Sequence, residues 1–427
     1  MSKSWISSCW LWVSAVCLLT VEVGWGAEDL TDALARQLER GQIAAAEADL
    51  QKSLESDPSN PQARFALGVV KVLSAIEKLG QDQYRYGALG DNVRNLPVLR
   101  FPVPANPAPQ QVSYQQLRQI FADFQDRIVE AEQELAKVDV TRDVKLPLDL
   151  GVVHLDVTAD GQVADSEGLY AILKSLNVIP PSIGPSGLRV QLDGGDVLWL
   201  RGYCHFLAGF CDVVLAYDHQ RLFDHTAHRI YPNHARSDGV VERRKTADER
   251  SFDDEIVDII TVIHLASFPL KEPNRMESAR QHWLGMIRTS RESWALIEAE
   301  TDDDDEWLPN PKQTGVLRIP VSRELIDGWQ QVLAEMEDLL EGRKLVPYWR
   351  DYTRVVWGQD LEVPAEGRGF NLKRFFTEPR DFDLVLMIQG SAALPYLEDG
   401  PLSRPETWSS LTRVFQGRFF GFAVWFN

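Results

Sequence analysis

DVLWLRGYCHFLAGFCDVVLAY, residues 196–217, is apolar at most of its positions. Val197, Leu200, Cys204, Leu207, Cys211 and Val214 alternate by three and four, while Trp199, Tyr203, Phe206, Phe210 and Val213 form a second apolar face. That spacing predicts an α-helix buried on most sides, and such a helix needs other helices packed around it. The same period recurs outward along the chain. Leu117, Ile120, Phe121, Phe124, Ile128, Leu135 and Val138 mark a long amphipathic helix over Ser113–Val138, and further helices are predicted at Phe252–Ala266, Met276–Glu300 and Arg323–Glu341. Leu146–Asp156, with Pro147 and the β-branched pair Val152-Val153, reads as extended. Ile179–Leu192, which holds Pro180-Pro181, and Val363–Gly369 read as loops, as does the acidic run Asp302–Asp305. The predicted fold class is mainly α with a few short extended segments.

Composition sets outer bounds. The chain has 427 residues, 44% of them hydrophobic and 25% charged, which suits a folded protein and excludes intrinsic disorder and a polytopic membrane protein. Length alone suggests two or three domains. Lys and Arg number 44 against 63 Asp and Glu, a net charge of -19. A field of that sign repels phosphate backbones, so nucleic acid is not expected as a partner.

Residues 1–26 place Lys3 ahead of an apolar stretch, Cys9–Val23, that ends at the small residues Gly24 and Gly26. This is the pattern of a secretory signal, with cleavage expected after Gly26 and export to the periplasm, the cell envelope or the outside. The stretch is too short for a membrane span and Glu22 interrupts its end, so no transmembrane segment is expected in the mature chain. Removal of the signal takes Cys9 and Cys17 with it. Cys204 and Cys211 remain, seven residues apart on one predicted helix and therefore about 10.5 Å apart along its axis, too far for a disulfide.

The N-terminal region after the signal has a 34-residue spacing over residues 27–60. Gly41 falls at a turn between two helices, Ala46 and Leu50 at a small and a large packing position, and Pro58 at the close; Leu67-Gly68 follows in the next unit. This pattern resembles a tetratricopeptide repeat, which implies a helical hairpin over roughly residues 27–100. An ordinary hairpin packed on the rest of the protein accounts for the same residues. Residues 101–112 carry Pro102, Pro104, Pro107 and Pro109 and read as a linker. Residues 113–427 then form a larger helical domain.

Within that domain, Asp156-Val157-Thr158-Ala159-Asp160-Gly161-Gln162-Val163-Ala164-Asp165-Ser166-Glu167 places oxygen-bearing side chains at alternate positions, a glycine at the sixth and a glutamate at the twelfth. It resembles the calcium loop of an EF-hand. The resemblance implies calcium held by Asp156, Thr158, Asp160, the Gln162 carbonyl and a bidentate Glu167, with Gly161 making the sharp turn. Thr158 supplies a neutral oxygen where the family usually has Asp or Asn, which leaves three formal charges from Asp156, Asp160 and Glu167, so weak binding in the range typical of extracellular modules is expected. A turn followed by a helix N-terminus accounts for Asp165 and Glu167 without a metal, but it does not require Asp156, Asp160 and Val163.

Two other groups of residues are candidates for chemistry. His219, His225, His228 and His234 lie within sixteen residues, with Asp218 and Asp224 among them; the spacing matches no zinc-enzyme motif and fits a polar loop. Arg201, His205 and Asp212 share the one polar stripe of the 196–217 helix, as an acid–base set or as internal ion pairs. Phe419–Asn427 is strongly aromatic and is expected to dock on a core. These features point first to an exported helical binding or scaffold protein with a calcium-stabilised loop, no catalytic activity, and a protein or a small ligand as partner. An exported hydrolase using Asp and His around 200–234 is the second possibility, and a periplasmic solute-capture or transport-accessory protein the third. A deep polar pocket joining His205, Asp212 and His225 would favour the enzyme, an apolar tunnel transport, and an open concave surface the scaffold.

Overall fold

The computed structural model describes residues 27–89, 98–234, 252–354, 359–360 and 363–404. The signal reading of residues 1–26 and the aromatic run at 419–427 lie outside the described residues. Those described are mainly α-helical, as the periodicity requires. The chain runs through α1 (Ala27–Glu39), α2 (Ile43–Ser56), α3 (Pro61–Arg85) and α4 (Tyr114–Leu135) before the short α5 (Leu169–Ser175). The central α6 (Gly194–Ala216) is followed by α7 (Gln220–Thr226), α8 (Phe252–Leu265) and α9 (Asn274–Ile297). The long α10 (Arg323–Leu340) precedes α11 (Trp349–Tyr352), α12 (Leu372–Thr377) and α13 (Leu384–Gln389).

Helix limits follow from local chemistry. Ser113 caps α4 in a reciprocal box: its hydroxyl accepts the Gln116 N–H while the Gln116 side chain accepts the Ser113 N–H. Asp193 caps α6 in the same way, its carboxylate accepting the Gly195 N–H at 2.7 Å while Asp196 returns to the Asp193 N–H at 3.1 Å. In the N-terminal hairpin Gly41 takes a positive φ of 65 at the turn between α1 and α2, and Pro61 opens α3 behind the cap Asn60. From there α3 continues for 25 residues. The proline-rich stretch is extended, as its prolines dictate, and lies along α3: the Asn106 amide donates to the Tyr84 carbonyl and the Gln110 N–H to the Arg85 carbonyl, with Phe101 and Val112 buried.

Strands are few and short: β1 (Leu146–Asp149), β2 (Arg189–Leu192), β3 (Ser267–Phe268), β4 (Val346–Pro347), β5 (Thr353–Arg354), β6 (Gln359–Asp360), β7 (Glu366–Phe370), β8 (Phe382–Asp383) and β9 (Leu397–Pro401). All pairings are antiparallel: β1 with β2, β3 with β8, β5 with β6, and β7 between β4 and β9. Two of these strands correct the sequence reading. β2 lies inside the stretch expected to be loop, because a four-residue run after Pro180-Pro181 and Gly187 is too short to show a period, and Leu146 pairs with Leu192 across it. β7 likewise replaces most of the loop expected at 363–369.

The apolar faces of α1 to α4, α6, α9 and α10 meet in one contiguous core that runs from Leu34 to Phe376. A second, small cluster of Tyr348, Phe370, Ala393 and Tyr396 holds the β4–β7–β9 sheet. At the centre α6 packs against α4 and α9. By length and composition alone α6 could cross a membrane, yet two of its carboxylates, Asp196 and Asp212, are buried in this helical packing. On the outside, Val257, Ile260 and Ile263 of α8 and Val385 and Ile388 of α13 are exposed.

Candidate functional site

Three helices and a short strand leave a gap that their side chains do not fill. Tyr114, Leu117, Arg118 and Phe121 of α4 form one wall, and Phe210, Val214 and Leu215 of α6 the next. Leu222, Phe223 and Thr226 of α7 close the third side, and Phe268 of β3 adds an aromatic edge. The cavity measures about 300 Å³ and its surface is almost wholly apolar. An apolar cavity of about 150 Å³ already stays dry and takes up benzene, and small-molecule sites begin near 300 Å³.

The few polar side chains on these walls are all turned into the protein. Arg118 donates to the Tyr217 carbonyl at 2.9 Å and the Leu215 carbonyl at 2.8 Å and pairs with Glu272. The Tyr114 hydroxyl accepts the His219 N–H at 2.7 Å, the His219 ring meets the Val214 carbonyl at 3.2 Å, and Thr226 donates to Leu222. Tyr231 donates to Gln83. Burial lowers His219 from the ordinary imidazole value, so the ring is neutral at pH 7. A guest in this cavity therefore meets hydrocarbon and aromatic faces, and recognition rests on shape and apolar area.

The polar stripe of α6 does form a cluster, and it is an internal one. Arg201 donates to Glu132 of α4 through Nε and Nη2, both at 3.0 Å, and His205 Nε2 lies 3.5 Å from the same carboxylate oxygen. On its other side His205 Nδ1 meets Nδ1 of His282 on α9 at 3.1 Å. His282 Nε2 in turn faces Asp212 Oδ2 at 3.9 Å, and Asp212 Oδ1 is held by Arg275 at 2.9 Å. Burial lowers both imidazoles, His205 to about 4. Asp212 is 2% exposed, and its Oδ2 has no hydrogen-bond partner. Arg201, His205 and Asp212 are thus joined through Glu132 and His282, which the sequence reading did not include.

Of the other clustered histidines, only His228 and His234 approach each other, with ring centroids 6.3 Å apart. His219 stacks edge-on against Phe268, His225 is exposed, and His228 lies 3.9 Å from Asp258, which also pairs with Arg229.

In the Asp156–Glu167 loop the turn is as expected, with Ala159 and Gly161 at φ 58 and 77. Its carboxylates point back onto its own backbone. Asp156 accepts the Asp160 and Gly161 N–H groups at 3.1 and 3.0 Å, and Asp160 accepts the Gln162 N–H at 2.8 Å. Glu167 is buried, and its two oxygens take the Thr158 N–H at 2.8 Å and the Ala164 N–H at 2.9 Å. Glu77 of α3 adds a further carboxylate by accepting the Asp156 N–H at 2.9 Å; burial pushes it up to about 7. Thr158 contributes its backbone N–H, and the Gln162 N–H is occupied by Asp160.

A different set of carboxylates does converge. Asp193, Glu300 and Glu306 have oxygens within 4.8 Å of one another at the start of α6, the one such group of three among the described residues. Burial, reinforced by Asp193, pushes Glu300 up to about 8 and Glu306 to about 7. Gln313 donates to both. The sequence showed the acidic run nearby, but not that its loop folds back on the cap of α6.

Comparison with known proteins finds no matching family, no matching curated protein and no matching solved structure.

Proposed function

We propose that this is an exported protein that binds a small, neutral, apolar molecule in the cavity between α4, α6 and α7. The observation that carries the reading is the combination of size and lining: about 300 Å³ walled by apolar side chains, with its polar neighbours Arg118, Tyr114, His219 and Thr226 occupied inside the protein. A ligand that carried a charge or several hydrogen-bonding groups would lose its water there without replacement, at a cost of several kcal/mol. This supports the capture reading of the sequence over the scaffold or the hydrolase. The test is fluorescence titration with N-phenyl-1-naphthylamine, a neutral aromatic probe. The full chain should bind it saturably at one site, and Val214→Trp, which projects an indole into the cavity, should abolish binding without loss of helical circular dichroism. Unchanged binding in Val214→Trp would place the probe elsewhere and overturn the reading.

Calcium at Asp156, Thr158, Asp160, Gln162 and Glu167 is a second proposal, supported by the twelve-residue spacing and by the gathering of negative charge where Glu77 joins Asp156 and Glu167. The fit is partial, since Glu167 must release the Thr158 and Ala164 N–H groups to serve as a ligand. The melting temperature in millimolar calcium against chelator tests it: a rise of a few degrees is expected for the wild type and none for Glu167→Gln.

A further inference from the structure

The cavity wall and the histidine pair are two ends of one chain of polar contacts. Arg118, on the wall, pairs with Glu272 at 2.5 Å; Glu272 holds Arg275 at 2.6 Å; Arg275 holds Asp212 at 2.9 Å. Asp212 faces His282, His282 meets His205, and His205 faces Glu132.

The last part of this chain is short of a proton. Of the three junctions only His205 to His282, at 3.1 Å, is a hydrogen bond that requires an N–H; Glu132 to His205 at 3.5 Å and His282 to Asp212 at 3.9 Å are ion-pair contacts, each favoured by an N–H on the ring nitrogen that faces the carboxylate. Two neutral imidazoles carry two N–H groups between them. Whichever tautomers are present, one carboxylate therefore faces a bare ring nitrogen or the two rings face each other without a hydrogen. The buried Asp212 Oδ2, without a hydrogen-bond partner 3.9 Å from His282 Nε2, is where the deficit shows. One added proton supplies the third N–H. The other groups facing the pair are Arg201 of α6 and Arg288 of α9, while Arg275 of α9 faces Asp212 and donates to Gln125 of α4. These guanidiniums oppose the added charge, and Glu132 and Asp212 favour it.

We infer that the His205–His282 pair is a proton site that controls the apolar cavity, so that protonation weakens ligand binding. The inference rests on the cavity reading above. A protonated His282 draws Asp212 Oδ2 toward it and competes with Arg275 for that carboxylate. Arg275 turns more fully to Glu272, and Glu272 loosens from Arg118. Arg118 is the group that ties the Leu215 and Tyr217 carbonyls at the end of α6 to α4, so the wall opens as its anchor weakens.

Titration of the full chain with N-phenyl-1-naphthylamine at pH 7.5 and 4.5, with helical circular dichroism checked at both, tests this. The probe is uncharged at both values. Wild type should bind at least about fivefold more weakly at pH 4.5, the lower end of ordinary allosteric couplings. His282→Gln should bind as wild type does at pH 7.5 and lose most of the pH dependence, and His205→Gln should do the same should the first variant not fold. A wild-type Kd equal at the two pH values, or an equal ratio in the variants, overturns the coupling and leaves the cavity reading standing. No binding at either pH overturns the cavity reading, and the coupling falls with it.

Discussion

Glu300 and Glu306 are carboxyl groups that hold protons near neutral pH because burial penalises their charged form beside Asp193. Their folded values, about 8 and about 7, lie above the ordinary value of 4.5, so the stability they contribute is present in acid and is lost as pH rises through 7 and 8. Glu300→Gln, which removes the charge and keeps an acceptor for Gln313, should raise the melting temperature by a few degrees at pH 8.5 and leave it nearly unchanged at pH 5. An equal change at both values would contradict the assignment. His205 has the opposite sign: its value is held down to about 4, so it costs stability as pH falls below 6.5. At this scale the sequence discloses what is local. The glycine turn at Gly161 was legible because turn residues are local, and Gly161 takes a positive φ. The joining of Glu132, His205, His282 and Asp212 could not, since those residues are brought together by the packing of three helices. The proton-rich group at Glu300 and Glu306 was hidden for the same reason.

Elements were more legible than sites. The 3.6-residue period of α4, α6, α9 and α10 survives into the structure because each buries an apolar stripe, whereas α8 keeps the period but leaves Val257, Ile260 and Ile263 exposed; the caps at Ser113 and Asp193 set where α4 and α6 begin. β2 and β7 were missed because pairing partners distant in sequence define them, Leu146 with Leu192 and Phe370 with Leu397. α6 and α9 pack closely against each other. A Cβ on Gly209 would lie 2.5 Å from Trp283 Nε1, with Ala279 backbone behind it, so the helices can approach only without that atom. Gly209→Ala should therefore cost about 1–3 kcal/mol by overpacking, read as a lower urea midpoint. Gly184→Ala, where a Cβ would meet nothing within 4 Å, should change it by less than about 0.5 kcal/mol. Equal midpoints for the two variants would argue against the close α6–α9 contact.

At the scale of the whole molecule a continuous core from Leu34 to Phe376 lines an apolar cavity with walls from α4, α6 and α7. The composition shows that the chain can build such a core; it does not show that the core is left unfilled, because an unfilled volume depends on the relative placement of helices and has no sequence period. Two buried thiols sit in the same core. Cys204 and Cys211 are free, and burial pushes both upward, so they should resist modification in the folded protein and both become titratable after denaturation without reductant. The central claim, that the cavity is an apolar space open to a guest, is tested most directly by diffraction from a crystal pressurised with xenon, an atom that enters dry apolar cavities. The account predicts xenon density between Phe121, Val214 and Leu222. A cavity filled by repacked side chains, or by waters hydrogen-bonded to Arg118 and His219 with no xenon, would contradict it.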